Sequence, residues 1–421
     1  MRWYHHYARV ALLSLCFMVG VSTFAFGDQN HYRNTLVGSR ATGLAGAYTA
    51  LSDDMAGCYY NPAGLAMVPT DSVSASMNAY YKSQKSYKNV LRDTGGEYHD
   101  WEQESSILLP NFFGVVKKWG IGRLGLSYAV PDSTLRRQQQ NFTNIQSNIP
   151  GNNVDSFMIN IDDTDQTYLF GPSYGLRLRD GLSIGATLYG YYRDKQIIRN
   201  QALFLEQGEH YWSNYYDTQT DWGLRPMLGI IWEPVEKIAL GLTLAKTYLT
   251  SSSRRQQELL RNTTSSDFAD TNSLQLNISS VSETANYPMT TALGVAYFVS
   301  PRLLFSFDCT YYSAVDDKQA VFNFAAGSEF YFMENMALRA GVYTDMANTQ
   351  ALTYGGVLQP EHVDIYNATL SLSIFNGPSS VTLGSTYGVG NGQAQVIEES
   401  TSIQDVEISA FSIFLAASYM F

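Results

Sequence analysis

Short and long connections alternate along most of this chain, between segments in which apolar residues occupy every second position. Alternating segments flank the short connections on both sides, which is the pattern of β-hairpins. The short connections lie at residues 118–120, 179–181, 234–236, 300–301, 333–335 and 376–378. The others are long and polar, at 82–104, 132–165, 199–218, 251–286, 346–362 and 391–405, with one brief exception at 314–319. Such regularity is typical of a membrane β-barrel, which has short turns at one end and longer extracellular loops at the other.

The alternating segments number about fourteen, an even count, as bacterial barrels require. We expect them to begin near Ser72, Ile107, Ile121, Gln166, Leu182, Thr220, Ile238, Tyr287, Arg302, Ala320, Met336, Val363, Ser379 and Val406. The predicted fold is therefore all-β, an antiparallel transmembrane barrel over residues 72–421. A soluble β-sandwich would have no reason to alternate the lengths of its connections in this way.

The phase of the alternation assigns the two faces of each strand. In the fifth segment the residues at even positions from Leu182 to Leu188 are apolar, and we expect them to face lipid, where a charge is costly. The same phase places these charged residues on the lumen side: Arg123, Arg177, Arg193, Arg225, Arg339, Asp308 and Glu329. Tyrosine pairs near strand ends, such as Tyr191 and Tyr192, are typical of aromatic belts at membrane interfaces.

The composition favours a membrane barrel over a soluble protein of the same length. Charged residues make up only 15% of the 421 residues, against about 25% in soluble domains. Aromatic residues reach 14%, and 30 of them are tyrosines. Beyond the N-terminus no apolar run approaches the ~20 residues of a spanning helix. The net charge of −11 argues against nucleic acid as a partner, because such proteins need a basic face.

Residues 1–27 have the layout of a secretory signal peptide, with a basic start and an apolar stretch at 10–21 that is too short to span a bilayer. Small residues at 25 and 27 form a cleavage site, so the mature chain would begin at Asp28. A lipoprotein anchor at Cys16 is disfavoured, because Leu15 stands where a small residue is needed. The last segment alternates up to Phe421 and resembles the signal by which the barrel-assembly machinery recognises its substrates.

Residues 38–66 differ from the rest of the chain. They are rich in Gly and Ala, and they show neither a period of two nor a period of 3.6. They carry adjacent aspartates at 53 and 54 and end in Asn-Pro-Ala-Gly at 61–64. Pro62 fixes its own φ and pushes Asn61 out of the α region, which favours a turn. We expect a compact and mostly irregular segment just before the first strand.

This segment resembles the N-terminal hatch of the FadL/TodX family, outer-membrane transporters of long-chain fatty acids and other hydrophobic molecules. The shared elements are a Gly-x-x-Gly-Ala tract at 43–47, Ser-Asp-Asp at 52–54 and Asn-Pro-Ala at 61–63, in that order. The resemblance is specific in this segment and architectural over the barrel. It implies a hatch over residues 28–71 inside the barrel, with Asn61, Pro62, Ala63 and Gly64 involved in gating.

The resemblance also implies a function: uptake of a hydrophobic small molecule by a monomer in the outer membrane, surrounded by the lipid bilayer and lipopolysaccharide. In this family the substrate leaves sideways through the wall near the third strand, which here begins at Ile121 and ends at Pro131. Proline lacks an N–H and stops pairing, which fits either a wall defect or a strand that simply ends. Related barrels serve as protein-binding shuttles in secretion or envelope biogenesis, and this alternative stays open. An apolar groove between the third and fourth long loops would favour transport.

The lumen arginines are candidates for holding a fatty-acid carboxylate, because Arg binds carboxylates in a bidentate fork. Arg225 has no evident partner and is the first candidate, followed by Arg339, and Arg193 shares the same interior. A symmetric turn at 333–335 would place Arg339 opposite Glu329, close enough for an ion pair; alternatively, that pair only stabilises the wall. The apolar residues 202–205, which include Phe204, are the candidate helix of a capture loop.

Nothing in the sequence indicates catalysis, a metal or another cofactor. His99, His210 and His362 fall in the expected long loops, without an evident triad or metal partner. A barrel enzyme needs a nucleophile paired with a base on its wall, and a metal site needs His and Cys clusters at ligand spacing. We therefore expect a non-enzyme. Cys58 and Cys309 are expected on opposite sides of the barrel wall, so we predict no disulfide between them.

Overall fold

The computed structural model describes residues 30–33, 35–147, 151–263, 274–282, 285–357, 359–396 and 401–421. The predicted signal peptide and its cleavage site lie outside the described residues. The described chain is one antiparallel sheet closed into a barrel, and the N-terminal residues lie against the inner face of that sheet.

Strands account for most of the described chain, and burial alternates from residue to residue along much of their length. The strands are β1 (Ser72–Arg92), β2 (Tyr98–Trp119), β3 (Gly122–Ile145), β4 (Val154–Arg179), β5 (Leu182–Leu205), β6 (His210–Val235), β7 (Ile238–Lys246), β8 (Tyr248–Thr263), β9 (Leu274–Val281), β10 (Met289–Ser300), β11 (Leu303–Tyr312), β12 (Val321–Met333), β13 (Met336–Asp345), β14 (His362–Asn376), β15 (Ser379–Ala394) and β16 (Gln404–Met420).

The barrel wall has fourteen strand positions, because β7 with β8 and β9 with β10 each share one position in the wall. Only Thr247 separates β7 from β8, which pair with the lower and the upper part of β6. In the same way β10 pairs with β7, and β9 pairs with β8. The first strand pairs with both β2 and β16, which closes the sheet. The predicted antiparallel barrel of fourteen strands is confirmed.

The six predicted short turns are all present, and they all lie at the same end of the barrel. Five strands begin at the predicted residue, namely Ser72, Leu182, Ile238, Met336 and Ser379. The starts of β3, β5 and β15 are fixed by local turn chemistry, because Gly120, Gly181 and Gly377 in the preceding turns adopt the positive φ angles that tight turns need.

The predicted long loops are mostly wrong. Four of the six are tall hairpins whose strands continue far above the expected ends. Residues 346–361 connect their strands without regular structure, and in the expected 391–405 loop β15 continues only to Ala394 and β16 begins only at Gln404. The upper parts keep their alternation but carry polar residues on the outer face, because they rise beyond the lipid. Their inner faces form a second apolar cluster that includes Trp101, Phe142, Phe157 and Leu203.

The two faces of the wall follow the predicted phase. Large apolar side chains such as Leu188, Leu228 and Phe307 are exposed on the outside, while Arg193, Arg339, Asp308 and Glu329 are buried on the lumen side. Outward aromatic rings meet in pairs at two levels. Tyr192 and Trp222 lie 4.4 Å apart at the upper level, and Trp119 and Tyr174 lie 6.1 Å apart near the short turns. An apolar band between two aromatic belts is the surface of an outer-membrane barrel.

The residues before β1 form three short helices, namely α1 (Ser39–Gly43), α2 (Gly57–Tyr60) and a 3₁₀ helix (Pro62–Met67). We call residues 30–71 the N-terminal segment. Its apolar side chains, among them Leu44, Tyr48 and Leu65, are fully buried in one cluster with lumen-facing residues of the wall. None of the described helices is long and apolar enough to span a membrane.

Candidate functional site in the barrel lumen

Asn61 fixes the N-terminal segment to the wall. Its Nδ2 donates to the carbonyl of Ile230 in β6 at 3.1 Å and to the carbonyl of Thr49 at 2.8 Å. Its Oδ1 accepts from the N–H of Ala63 at 3.1 Å, which caps the 3₁₀ helix that begins at Pro62. The Asn-Pro turn therefore lies inside the barrel and against its wall, at the position that the sequence indicates.

Glycines on the lumen side of the wall make room for this segment. Gly175, Gly185 and Gly229 stand side by side on β4, β5 and β6. A Cβ at Gly185 would lie 2.3 Å from the carbonyl carbon of Pro62, and one at Gly229 would lie 2.0 Å from Oδ1 of Asn61. The same close approach recurs further around the wall at Gly114, Gly125, Gly241, Gly294, Gly327 and Gly341.

The sequence analysis missed this set of glycines, although a signal was available. Each of them occupies a lumen-phase position within a strand, where glycine otherwise weakens pairing and leaves nothing to pack. A glycine at such a position marks the close approach of another backbone.

A buried ion network ties the segment to the opposite side of the wall. The predicted register is confirmed, because Glu329 and Arg339 are directly paired on β12 and β13 and form a salt bridge. Arg40 of the segment binds Glu329 in a bidentate fork, at 2.8 and 2.9 Å, and also pairs with Asp53. Arg339 further donates to the hydroxyl of Ser373. The charge of Arg339 is thus neutralised by Glu329 within the wall. This favours the alternative in which the pair of Glu329 and Arg339 only stabilises the wall.

Asp308 holds the middle of the segment. Its Oδ2 accepts from the backbone N–H groups of Tyr48 and Thr49, at 3.0 and 2.9 Å. A buried carboxylate that accepts two backbone N–H groups positions a chain more firmly than an apolar contact does. Elsewhere in the segment, burial and the neighbouring Asp53 raise the pKa of Asp54 to about 6.

Arg193 has carboxylate partners in the wall that the sequence analysis did not assign to it. It forms a bidentate salt bridge with Asp165, and Asp221 lies 4.0 Å away. The sequence analysis overlooked these acids because it placed Asp165 at the end of a loop and did not assign Asp221 to the lumen. Arg193 is therefore part of a neutralised cluster high in the barrel.

Arg225 differs from the other lumen arginines. Among the described residues it forms no ion pair, and its one hydrogen bond is a long one, 3.5 Å from Nη1 to Oγ1 of Thr247. Its Nε is buried and has no acceptor. The phenols of Tyr59, Tyr189 and Tyr312 are near enough to interact with its charge. Arg225 thus remains a cation without a carboxylate in an aromatic environment.

Phe204 does not belong to a capture helix. Residues 202–205 are the upper end of β5, so the predicted helix is wrong. Leu203 and Leu205 are buried on the inner face, whereas Phe204 lies on the opposite face, where its ring stacks on His210 at 6.1 Å. The apolar run alone could not separate a helix from a strand, because four residues are too few to show a period.

The histidines likewise lie at strand ends rather than in loops. His99 is the second residue of β2, and His210 and His362 begin β6 and β14. His99 contacts Asp93 at 3.3 Å, His362 contacts the carbonyl of Thr349 at 2.8 Å, and His31 contacts the carbonyl of Val363 at 2.7 Å. These contacts position the hairpins.

The upper lumen encloses a cavity of about 240 Å³ above the N-terminal segment. Charged residues, amides, tyrosines and isoleucines all contribute to its wall, from β1 to β5, β13 to β16 and the loop before β14. The four residues predicted to bind ligand, Arg193, Arg225, Arg339 and Phe204, do not line it. The structure therefore does not bring the predicted ligand residues together around one cavity.

The wall is interrupted between β2 and β3. The two strands pair from Trp119 with Gly122 up to Phe112 with Ala129, and they pair again where Glu104 meets Arg137. No backbone pairing joins residues 105–111 to residues 130–136, all of which are described. We call this stretch the wall interruption. Pro131 does not end its strand, because β3 continues to Ile145, so the pairing defect is the correct alternative.

The N-terminal segment spans the wall interruption. The N–H of Thr35 donates to the carbonyl of Pro131 at 3.1 Å on one side. On the other side, Nδ2 of Asn111 donates to the carbonyl of Leu36 at 2.9 Å. The cavity reaches the same place, since Ser105 and Ser133 line it. Cavity, interruption and N-terminal segment are thus in direct contact.

No family model and no curated protein matches the sequence. Solved structures, in contrast, resemble it over nearly the whole chain. A FadL homologue of Pseudomonas aeruginosa superposes with a TM-score of 0.63 at 14% identity, over 93% of this chain and 100% of the other. The toluene transporter TodX of P. putida superposes with a TM-score of 0.64 at 15% identity, over 91% and 98%.

The chain has the FadL/TodX barrel fold. A third structure, the toluene transporter TbuX of Ralstonia pickettii, extends the comparison with a TM-score of 0.58 at 12% identity, over 91% of this chain and 98% of the other. At these identities the likeness establishes the fold alone, a β-barrel of the FadL/TodX type. Two of the three, TodX and TbuX, are named as toluene transporters, and none of the three is named as an enzyme.

Proposed function

We propose that this protein carries hydrophobic small molecules across the outer membrane. The observation that carries the proposal is the contact between three features, the cavity, the wall interruption and the N-terminal segment that lies against both. A molecule in the cavity is adjacent to a stretch of wall whose backbone pairing is already absent, so it could reach lipid without breaking strand pairs. The barrel fold shared with the toluene transporters supports the same function.

We further propose that the N-terminal segment acts as a hatch over residues 28–71. Its contacts differ in strength around the wall. On one side it is fixed by the buried fork of Arg40 on Glu329 and by Asp308. At the wall interruption the described residues hold it by two hydrogen bonds, those of Thr35 and Asn111. A small displacement of residues 35–36 would open the interruption while the rest of the segment stays in place.

The extracellular surface supports capture of hydrophobic molecules. On β9, in the fourth tall hairpin, Leu274, Leu276 and Ile278 are 48%, 62% and 56% exposed on one face. Their partners across the ladder, Leu259 and Gln257, extend that face towards the third hairpin. This exposed apolar face of the fourth hairpin supports capture of a hydrophobic molecule, but it is not the groove between the third and fourth long loops that would favour transport over a shuttle function.

For the substrate we propose a long-chain fatty acid with Arg225 as its carboxylate anchor. A guanidinium without a carboxylate partner can hold an acid in a bidentate fork. Arg225→Gln keeps the polarity and much of the volume but removes the charge, so binding of oleate should weaken by about tenfold or more, the worth of one charge-assisted hydrogen bond. Binding of methyl oleate, which has no charge, should stay the same.

Arg177→Gln is the matched control, because Arg177 lies at the rim, about half exposed, and pairs with Glu233 at 3.8 Å. Both variants should keep the heat-modifiable folded fraction of the unmodified protein. If Arg225→Gln weakens acid and ester equally, Arg225 is only part of the wall and the carboxylate anchor is refuted.

A further inference from the structure

The tall hairpins carry an ordered row of amide side chains on their outer face. Residues on four consecutive strands are directly paired across the sheet, namely Gln139 of β3, Asn160 of β4, Asn200 of β5 and Asn214 of β6. We call these four residues the amide ladder. Each is next in sequence to a residue that is buried on the lumen side, such as Ile159. The amide ladder therefore points away from the lumen and its cavity.

The amide ladder stands above the lipid. Tyr192 and Trp222 of the upper aromatic belt precede and follow Asn200 and Asn214 by eight residues on β5 and β6. Eight residues of strand are about 26 Å long. With a strand tilt of roughly 40°, the ladder lies about 20 Å above the belt. In the outer leaflet of an outer membrane this is the level of the saccharides of lipopolysaccharide, beyond its acyl chains.

The side chains of the amide ladder form no hydrogen bond with any residue that the structure describes. Each amide has one acceptor oxygen and two N–H donors. Stacked amides on neighbouring strands can bond to one another along the sheet, but these four do not. Oδ1 of Asn200 is in addition shielded from solvent without accepting a hydrogen bond. The ladder thus presents a row of donors and acceptors to a ligand outside the barrel.

Two aromatic rings flank the amide ladder on β6. Trp212 and Tyr216 lie two positions to either side of Asn214, on the same outer face, and both are half-buried. Polar side chains alone are the ordinary surface of a strand in water, whereas aromatic rings this far above the lipid serve no purpose in the membrane. A ring packs against the C–H face of a sugar, and neighbouring amides bind its hydroxyl groups. Rings and amides together are the chemistry that recognises a saccharide.

The charge of this face is complementary to a phosphorylated saccharide. The outer positions of β6 over residues 210–220 and of β8 over residues 253–261 include Arg255 and Arg261 and no carboxylate. Arg261 is paired directly with Trp212, and Arg255 is exposed. The core of lipopolysaccharide carries phosphate groups and acidic sugars, which a face of this charge attracts.

From this arrangement we infer that the amide ladder, with Trp212 and Tyr216, binds the core oligosaccharide of the lipopolysaccharide around the barrel. Neighbouring strands are about 4.8 Å apart, close to the length of one pyranose unit, so successive amides contact successive sugars. The inference goes beyond the proposed function, because it concerns neither the lumen nor the transported molecule.

The test is binding of the full mature protein, in detergent micelles, to two probes, lipopolysaccharide with a complete core but no O-chain, and lipid A alone. Both probes have the same acyl chains, so the difference between their dissociation constants reports the core sugars. We expect the complete form to bind at least about tenfold more tightly, the worth of two or more hydrogen bonds. The oligosaccharide released from lipid A by mild acid should displace the complete form. Equal dissociation constants, or no displacement, overturn the inference.

The double variant Asn160→Ala, Asn200→Ala tests the amide ladder itself. It should weaken binding of the complete form about tenfold and leave binding of lipid A unchanged, while the heat-modifiable folded fraction stays the same. The matched control is Asn391→Ala, which removes an exposed amide from the outer face of β15 and should change neither constant. A double variant that binds the complete form as tightly as the control does, or that weakens both probes alike, refutes the inference.

Trp212→Leu tests the aromatic part of the face independently of the amides. It removes the ring, keeps an apolar side chain beside Asn214, and should weaken binding of the complete form at least about fivefold without affecting lipid A. An unchanged constant for the complete form would show that the ring contacts no sugar and would overturn the proposed site.

Discussion

Gly185→Ala offers a direct test of how closely the N-terminal segment fits the wall. The new Cβ would lie 2.3 Å from the carbonyl carbon of Pro62, 2.4 Å from its oxygen and 2.5 Å from the nitrogen of Ala63, whereas ordinary contacts are 3.4–4 Å. The wall cannot yield, because Gly185 is paired with Gly175 on one side and Gly229 on the other. The segment must therefore move by roughly 1 Å.

The size of the effect follows from two contributions. Overpacking by one methyl group costs about 1–3 kcal/mol. A shift of this size also breaks the 3.1 Å hydrogen bond from Asn61 to Ile230, which adds about 1 kcal/mol. A total of about 2–4 kcal/mol raises the population with a displaced segment roughly 30- to 700-fold.

The assay is swelling of proteoliposomes in a small sugar such as arabinose, which reports a water-filled path through the barrel. Gly185→Ala should swell faster than the unmodified protein, while its heat-modifiable folded fraction stays the same because the barrel itself is untouched. The control is Gly190→Ala on the outer face of the same strand, where the nearest atom to a Cβ is 3.5 Å away. Equal swelling of both variants and the unmodified protein, with all three folded, would refute the close fit.

Three further predictions concern the segment, the thiols and the orientation. Asn61→Ala removes the three hydrogen bonds of the Asn-Pro turn and should lower uptake of the hydrophobic substrate without lowering the folded fraction; loss of both together would mean a purely structural role. Cys58 is fully buried inside the barrel, where burial raises its pKa to about 11, whereas Cys309 faces outward beside Phe307. We therefore expect no disulfide between them. A mass shift between reduced and oxidised samples would contradict this placement of the two thiols. Protease added to intact cells should cut at residues 146–153, at the tip of a tall hairpin, and spare 179–181; the opposite pattern would invert the orientation.

The half of the barrel next to the short turns could be predicted from sequence because its determinants are local. A short turn fixes the register of the two strands that it joins, and for this reason the pairing of Glu329 with Arg339 followed from the symmetry of residues 333–335 alone. The alternation of apolar and lumen-side residues is likewise imposed by lipid on one face. Both constraints act within about ten residues of the turn.

The upper half could not be predicted in the same way. Above the membrane the outer face is no longer apolar, so polar strands such as the upper part of β3 have the composition of loops. This error concealed the acids that neutralise Arg193 and hid the cavity, which is lined by residues assigned to loops, Arg136 and Asp163 among them. The contacts of the N-terminal segment are long-range in sequence, as between Arg40 and Glu329, and no local pattern encodes such a pair.

The central claim is that this barrel admits hydrophobic molecules, and uptake of labelled oleate and labelled toluene by cells with and without the protein tests it most directly. With the protein present in the outer membrane in its heat-modifiable folded form, we expect faster and saturable entry of oleate. Rates for oleate and toluene that are the same in both kinds of cell would contradict transport, and would leave a folded barrel whose lumen and hairpins serve another partner.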